Sequence, residues 1–270
     1  MIDGNPKLHN PNLDGDSFFW RAGTVGIFLS HGFTATTAEV RLMAEKLHGN
    51  EYTVAAPLLP GHGTQPEDLN HVHWRDWVRT GNETLQKLFR DCEQVFVAGV
   101  SMGGVLALYL ASEEPLIAGV LLYAPAIHTN TSRMDLVKLY LSAPFVTQVE
   151  RKSLDCPDVW QGYPGLPIKG IIQFLRFQTS TINRLFHIHQ PVLIFQGNHD
   201  SVVSPQAGKI IMEGISSRIK EHHWLRKSSH AITLDVEYSQ AATPSIQFIE
   251  KVTEIYAVGT KESFDPEVFY

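Results

Sequence analysis

Short apolar runs of strand length alternate with longer amphipathic stretches along most of the chain. The strand candidates fall at 17–21, 25–29, 53–56, 95–100, 117–123, 192–196 and 219–223. Helix-like patterns occupy 36–48, 73–90, 105–112, 205–215 and 244–256. Strands alternating with helices in this way predict an α/β protein whose mostly parallel sheet carries helices on both faces. Thr36-x-x-Glu39, at the head of the first helical stretch, reads as a capping box. No internal repeat or low-complexity segment interrupts the pattern.

One region breaks the alternation. Residues 127–186 contain no clean strand, only helix-like pieces at 134–141 and 169–185 separated by a Pro/Gly-rich passage at 157–167. Sixty residues are too many for a structureless loop in a compact domain. The expected organisation is therefore a core of 1–126 and 187–270 with a small helical insertion at 127–186. Open α/β sheets bind ligands beyond the carboxyl ends of their strands, so the insertion is expected to form a lid there.

Composition narrows the partners. With 270 residues, 43% of them hydrophobic, the chain can bury one full core. A net charge of −6 argues against a nucleic-acid partner. Cys92 and Cys156 are too few for a disulfide framework and lack metal-ligand spacing, so they read as reduced structural thiols. The first residues show no positive start followed by an apolar core, and no apolar run reaches membrane-span length. A cytoplasmic protein without stable membrane insertion is expected. The tail after Val258 is polar except for Phe264, Phe269 and Tyr270, candidates to dock on the body. Oligomeric state has no signature in the chain.

The chemistry centres on Gly99-Val100-Ser101-Met102-Gly103, which lies where an apolar strand gives way to an apolar helix. That is the sequence form of a nucleophile elbow, whose tight turn needs glycine on both sides and leaves the serine strained and exposed. A serine hydroxyl needs a base, and the base needs a carboxylate, in the chain order Ser, Asp/Glu, His. Asp200 follows the 192–196 strand and His230 follows the 219–223 strand, which fits both places. Asp235 and Glu237 are alternative acids, but they fall after the histidine at the start of the final helix. The bland alternative for Asp200 is a cap on the helix at Pro205. His199 points elsewhere on its turn, His222 and His223 lie within a strand, and the pairs His71/His73 and His187/His189 lack a completing ligand set. No metal and no cofactor is expected. Backbone donors for an oxyanion are expected from the amides of Met102 and Phe33, with Gly32 letting that loop turn inward. Gly32, Phe33 and Met102 are thus also the substrate-binding candidates. The Phe33 ring either walls an acyl pocket or is core. His62, in Pro60-Gly61-His62-Gly63, reads as structural packing.

Five ordered motifs carry a family resemblance. Leu29-Ser30-His31-Gly32-Phe33-Thr34, Pro60-Gly61-His62-Gly63, Gly99-Val100-Ser101-Met102-Gly103-Gly104, Gly197-x-x-Asp200-x-Val202-Val203 and Ser229-His230 resemble the bacterial carboxylesterases of the α/β-hydrolase fold. They are similar to the monoacylglycerol lipases as well, over about residues 24–256. The resemblance implies a serine esterase acting on a small-molecule ester, with Ser101 as nucleophile, Asp200 as acid, His230 as base, and the Phe33 and Met102 amides as oxyanion hole. It also implies a helical cap. Thr34-Ala35-Thr36 departs from the usual Thr-Gly-Ser/Thr and touches the shape of the entrance. Apolar positions in the insertion (Leu136, Leu139, Phe145, Val146, Ile171, Phe174, Leu175) favour an uncharged aliphatic acyl group. Alternatives are a monoacylglycerol lipase, an acyl-thioesterase, or a non-catalytic binding protein on the same fold.

Overall fold

The computed structural model describes residues 7–130, 132–151, 156 and 158–259. The chain runs β1 (Phe18–Trp20), β2 (Val25–Ser30), α1 (Ala38–His48), β3 (Thr53–Ala56), α2 (Pro66–Leu69), α3 (Trp74–Asp91), β4 (Gln94–Val100), α4 (Met102–Glu113) and β5 (Ile117–Tyr123). It continues with α5 (Arg133–Ser142), β6 (Gln148–Glu150), β7 (Gly165–Pro167), α6 (Ile168–Ile182), β8 (Val192–Gly197), α7 (Ala207–Gly214), β9 (Lys220–Leu225) and α8 (Tyr238–Gly259). Seven strands form one sheet in the order β1-β3-β2-β4-β5-β8-β9. Only the edge pair β1–β3 is antiparallel.

Strand alternation divides the core in two. From β4, Val95 and Val97 point into a layer filled by Trp77, Leu85, Leu106 and Phe177, under α3, α4 and α6. Phe96, Ala98 and Val100 point the other way, onto Val40, Met43, Phe248 and Ile249 of α1 and α8. Every residue of α4 from Met102 to Ala111 is buried. A helix apolar all round can only sit inside, and this one lies directly behind the turn that ends β4.

Several boundaries differ from the sequence expectation. The Thr36/Glu39 capping box does not form: α1 starts after Thr37 without a side-chain cap. Glu39 turns away from its helix, because Gly32 and Trp160 offer it two buried N–H groups. Residues 127–186 do contain strands, the three-residue β6 and β7, which pair antiparallel and are too short to show a period. Helix α8 begins at Tyr238 and carries Pro244 inside it, where the proline pattern suggests a start. Of the apolar insertion positions, Phe145 and Val146 are exposed, whereas Phe174 is buried. The aromatic tail residues Phe264, Phe269 and Tyr270 lie outside the described residues. Among the described residues no helix is long and apolar enough to cross a membrane.

Candidate active site

The turn from β4 to α4 is built as tightly as its glycines suggest. A Cβ on Gly99 would overlap the Gly103 backbone, and one on Gly103 would overlap the Ser30 carbonyl oxygen. Ser101 between them sits at φ 54, ψ −114, a strained conformation for any residue with a side chain. The turn is held from outside: Ser101 N–H donates to Tyr123 O at 2.9 Å, and Ala126 N–H donates to Ser101 O at 3.1 Å.

Asp200 lies three residues past the end of β8 and His230 five past the end of β9. His230 Nδ1 meets Asp200 Oδ2 at 2.8 Å, with the carboxylate almost fully buried. The other Asp200 oxygen, Oδ1, accepts from the amides of Val202 and Val203 at 2.8 and 2.9 Å. Burial works to raise this carboxyl, but His230 and the two amides outweigh it and hold its pKa below the usual range. An ionised acceptor at Nδ1 fixes the ring with its proton there, leaving Nε2 as the lone-pair nitrogen. Asp200 does not cap a helix; α7 has Gln206 at its N-cap, with no side-chain bond.

The rival acids have other employment. Glu237 accepts from Lys227 N–H and Ser228 Oγ at 2.6 and 3.0 Å. Asp235 accepts from Ser229 N–H and Oγ at 2.6 and 2.8 Å. Both therefore staple the loop that carries His230, and the carboxylate on its Nδ1 is Asp200. Three of the other histidines have packing or capping contacts away from this pair. His73 caps α3 reciprocally with Asp76, His222 lies against Gly208 of α7, and His223 packs on Phe195.

Gly32 and Phe33 follow β2, beside the elbow. His31 Nδ1 donates to Gly32 O at 2.9 Å while its Nε2 accepts from Leu59 N–H at 3.1 Å. The Gly32–Phe33 peptide is planar and trans, so its N–H points away from the carbonyl that His31 holds. Among the described residues neither the Phe33 nor the Met102 amide donates to a protein acceptor. The Phe33 ring stacks on Phe174 of α6 at 5.6 Å and lies edge-on to His62 and Trp77. Thr34, a non-glycine at φ 65, accepts from Arg151 and donates its hydroxyl to Phe33 O at 2.6 Å. Its carbonyl accepts from Tyr163 N–H at 2.9 Å, so a segment of the 127–186 region runs along this loop. Sequence reasoning missed Arg151, Trp160, Tyr163 and the placement of Glu39. One signal for Glu39 was present: it lies four and eight residues before Met43 and Leu47, on the buried stripe of α1.

Burial lowers the pKa of His31 to about 4 and drives that of His62 well below its ordinary value. The rings meet edge-on with centroids 4.9 Å apart, and His31 adds to the depression at His62. A lowered histidine pKa means that the unfolded chain takes up protons the native one refuses. Stability is therefore whole above the unfolded value near 6.5 and declines as pH falls toward 4. His31 alone accounts for a loss of about 3 kcal/mol across that window. Urea melts at pH 7, 5.5 and 4.5 should show a falling midpoint; a midpoint constant over that range would contradict the buried neutral pair.

A mostly parallel sheet with a strained serine at the strand-to-helix elbow, and a carboxylate–imidazole pair beyond later strand ends, defines the α/β-hydrolase fold. Residues 24–237 match the family described as serine aminopeptidase, S33, and the chain belongs to it. It is 36% identical over 248 residues to the thermostable monoacylglycerol lipase of Bacillus sp. (strain H-257), covering 89% of this chain and 97% of that protein. The carboxylesterase of Bacillus subtilis (strain 168) is 28% identical over 239 residues, covering 87% and 96%. Among solved structures, one reported for the metagenome-derived lipolytic enzymes LipS and LipT superposes with a TM-score of 0.84 at 29% identity, covering 92% of this chain and 100% of that one. The chain is an ester hydrolase of the serine hydrolase type.

Proposed function

We propose that Ser101 is the nucleophile, His230 the general base, Asp200 its orienting acid, and the Phe33 and Met102 amides the oxyanion hole. The carrying observation is the 2.8 Å contact between His230 Nδ1 and Asp200, which leaves Nε2 ready to take a proton. Ser101 Oγ attacks the ester carbonyl carbon while Nε2 accepts the hydroxyl proton. Negative charge collects on the carbonyl oxygen, where the Phe33 and Met102 N–H groups, the latter at the head of α4, meet it. The imidazolium then protonates the departing alkoxide, leaving an acyl-serine. Water, deprotonated by the same nitrogen, attacks that acyl group, and collapse releases the acid and restores Ser101.

The proposed substrates are uncharged esters of aliphatic acids, monoacylglycerols among them. Phe33 and Phe174 give the oxyanion loop an apolar wall, and a relative at 36% identity is named for monoacylglycerol hydrolysis. Residues 127–186 are proposed as a cap over this site, supported by the bonds from Tyr163 and Arg151 to Thr34. A cytoplasmic location belongs to the same proposal, in keeping with the absence of a disulfide among the described residues. Measuring kcat/KM on monoacylglycerols, p-nitrophenyl esters and acyl-thioesters tests the substrate class. Neutral aliphatic esters should exceed carboxylate-bearing analogues by at least about 10-fold, the cost of placing an unpaired charge against that wall. Equal rates on both, or a marked preference for thioesters, would count against it.

A further inference from the structure

Glu39 is a buried carboxyl, 5% exposed, that the proposed chemistry leaves unused. Buried carboxyls require partners, and this one draws them from two separate parts of the chain. Oε2 accepts the Gly32 N–H at 2.6 Å, a short, charge-assisted distance. Oε1 accepts from Trp160 Nε1 at 3.1 Å. The Glu39 main-chain oxygen accepts from Thr233 Oγ1 at 2.8 Å, three residues past His230.

The fit around Gly32 is close. A Cβ there would lie 3.1 Å from Glu39 Oε2 and 3.2 Å from Ser101 Cβ, so carboxylate, loop and nucleophile are stacked without slack. We propose that Glu39 is a positioning residue for the oxyanion hole: by holding the Gly32 N–H it fixes the peptide that aims the Phe33 amide at the reacting carbonyl oxygen. His31 grips that peptide by its carbonyl, and Glu39 grips the amide one residue earlier, so the unit is fastened on both sides. Without the second grip the peptide can rock about Gly32, and the donor leaves the developing charge. Burial pushes the Glu39 carboxyl up, opposed by the Gly32 amide, His230, Trp160 and Arg151, the groups that face it.

This inference rests on the reading of Ser101 and the Phe33 amide given above. Two substitutions separate reach from charge. Glu39→Gln keeps an oxygen at full reach of Gly32, loses the charge and turns its NH2 toward Trp160 Nε1, giving up that bond but not the one to the loop; Glu39→Asp keeps the charge and is one methylene short of Gly32. With p-nitrophenyl butyrate as substrate, Glu39→Asp should lower kcat by about 10-fold or more while KM stays within about threefold, because only the transition state loses a donor. Glu39→Gln should retain kcat within about threefold of the parent. Near-parental kcat in both variants would overturn the proposal. So would an active Asp variant beside an impaired Gln variant, which would assign Glu39 to the charge balance of His230. Equal impairment of the two would also reject reach as the determinant. Should Glu39→Asp fail to melt cooperatively, Glu39→Met, similar in volume and lacking an acceptor, takes its place with the same expected loss. Ser101→Ala is measured alongside: activity surviving there overturns the nucleophile assignment, whereas a dead Ser101→Ala with a fully active Glu39→Asp overturns only this one.

Discussion

Ser101→Ala should lower kcat on any ester substrate by at least about 10⁴-fold while leaving the fold and the thermal midpoint near those of the parent. The expected size follows from the role proposed for the side chain. Without Oγ no acyl-enzyme can form, and the amides of Phe33 and Met102 can only assist direct attack by water. The backbone at 101 is already at φ 54, so alanine inherits the strain that serine bears, and little stability changes hands. Initial rates with p-nitrophenyl butyrate, followed by a melt of the same sample, check both halves. A variant that kept a tenth of the parental kcat would remove Ser101 from the chemistry.

The largest structural effect should come from Gly103→Ala, one methyl group two residues along. That methyl would overlap the carbonyl oxygens of Ser30 and His31, backbone atoms at the end of β2 that cannot rotate aside. Either α4 tilts away from the sheet or β2 shifts, and both open the buried layer around Val105, Leu106 and Leu110. Overpacking against rigid backbone should cost at least about 3 kcal/mol, a large part of an ordinary domain's stability. Activity should be lost together with folding, in contrast to the silent but folded Ser101→Ala. Circular dichroism melts distinguish the two; a Gly103→Ala protein melting within a few degrees of the parent would show that the elbow is looser than its geometry implies.

Much of this architecture is written into local pattern. Six strands of the sheet, β1 to β5 and β8, are visible because each is a short apolar run bounded by turn residues, whereas β9 (Lys220–Leu225) is mostly polar. Asp200 and His230 stand 30 positions apart, yet their order after successive strands brings them to within 2.8 Å, since the carboxyl ends of parallel strands all open on one rim. Glu39 was misread for an equally physical reason. Thr36-x-x-Glu39 has the spacing of a cap, and the competitors that won its carboxylate are Gly32 in another loop and Trp160, 121 residues away. No local rule ranks such partners. The same holds for β6 and β7, three residues each, which exist through pairing rather than propensity. Helix α8 starts before Pro244 because burial of Ala241, Ala242, Ile246 and Ile249 offsets the one hydrogen bond the proline removes and the crowding of the carbonyl four residues earlier.

Fluorophosphonate modification of the native protein, mapped by peptide mass, probes the convergence of hydroxyl, imidazole and amides in a single step. One adduct per chain on the peptide bearing Ser101, slowed at least about 10³-fold by His230→Ala, is the expected result. Label found on any other residue, or modification as rapid without the imidazole as with it, would contradict it.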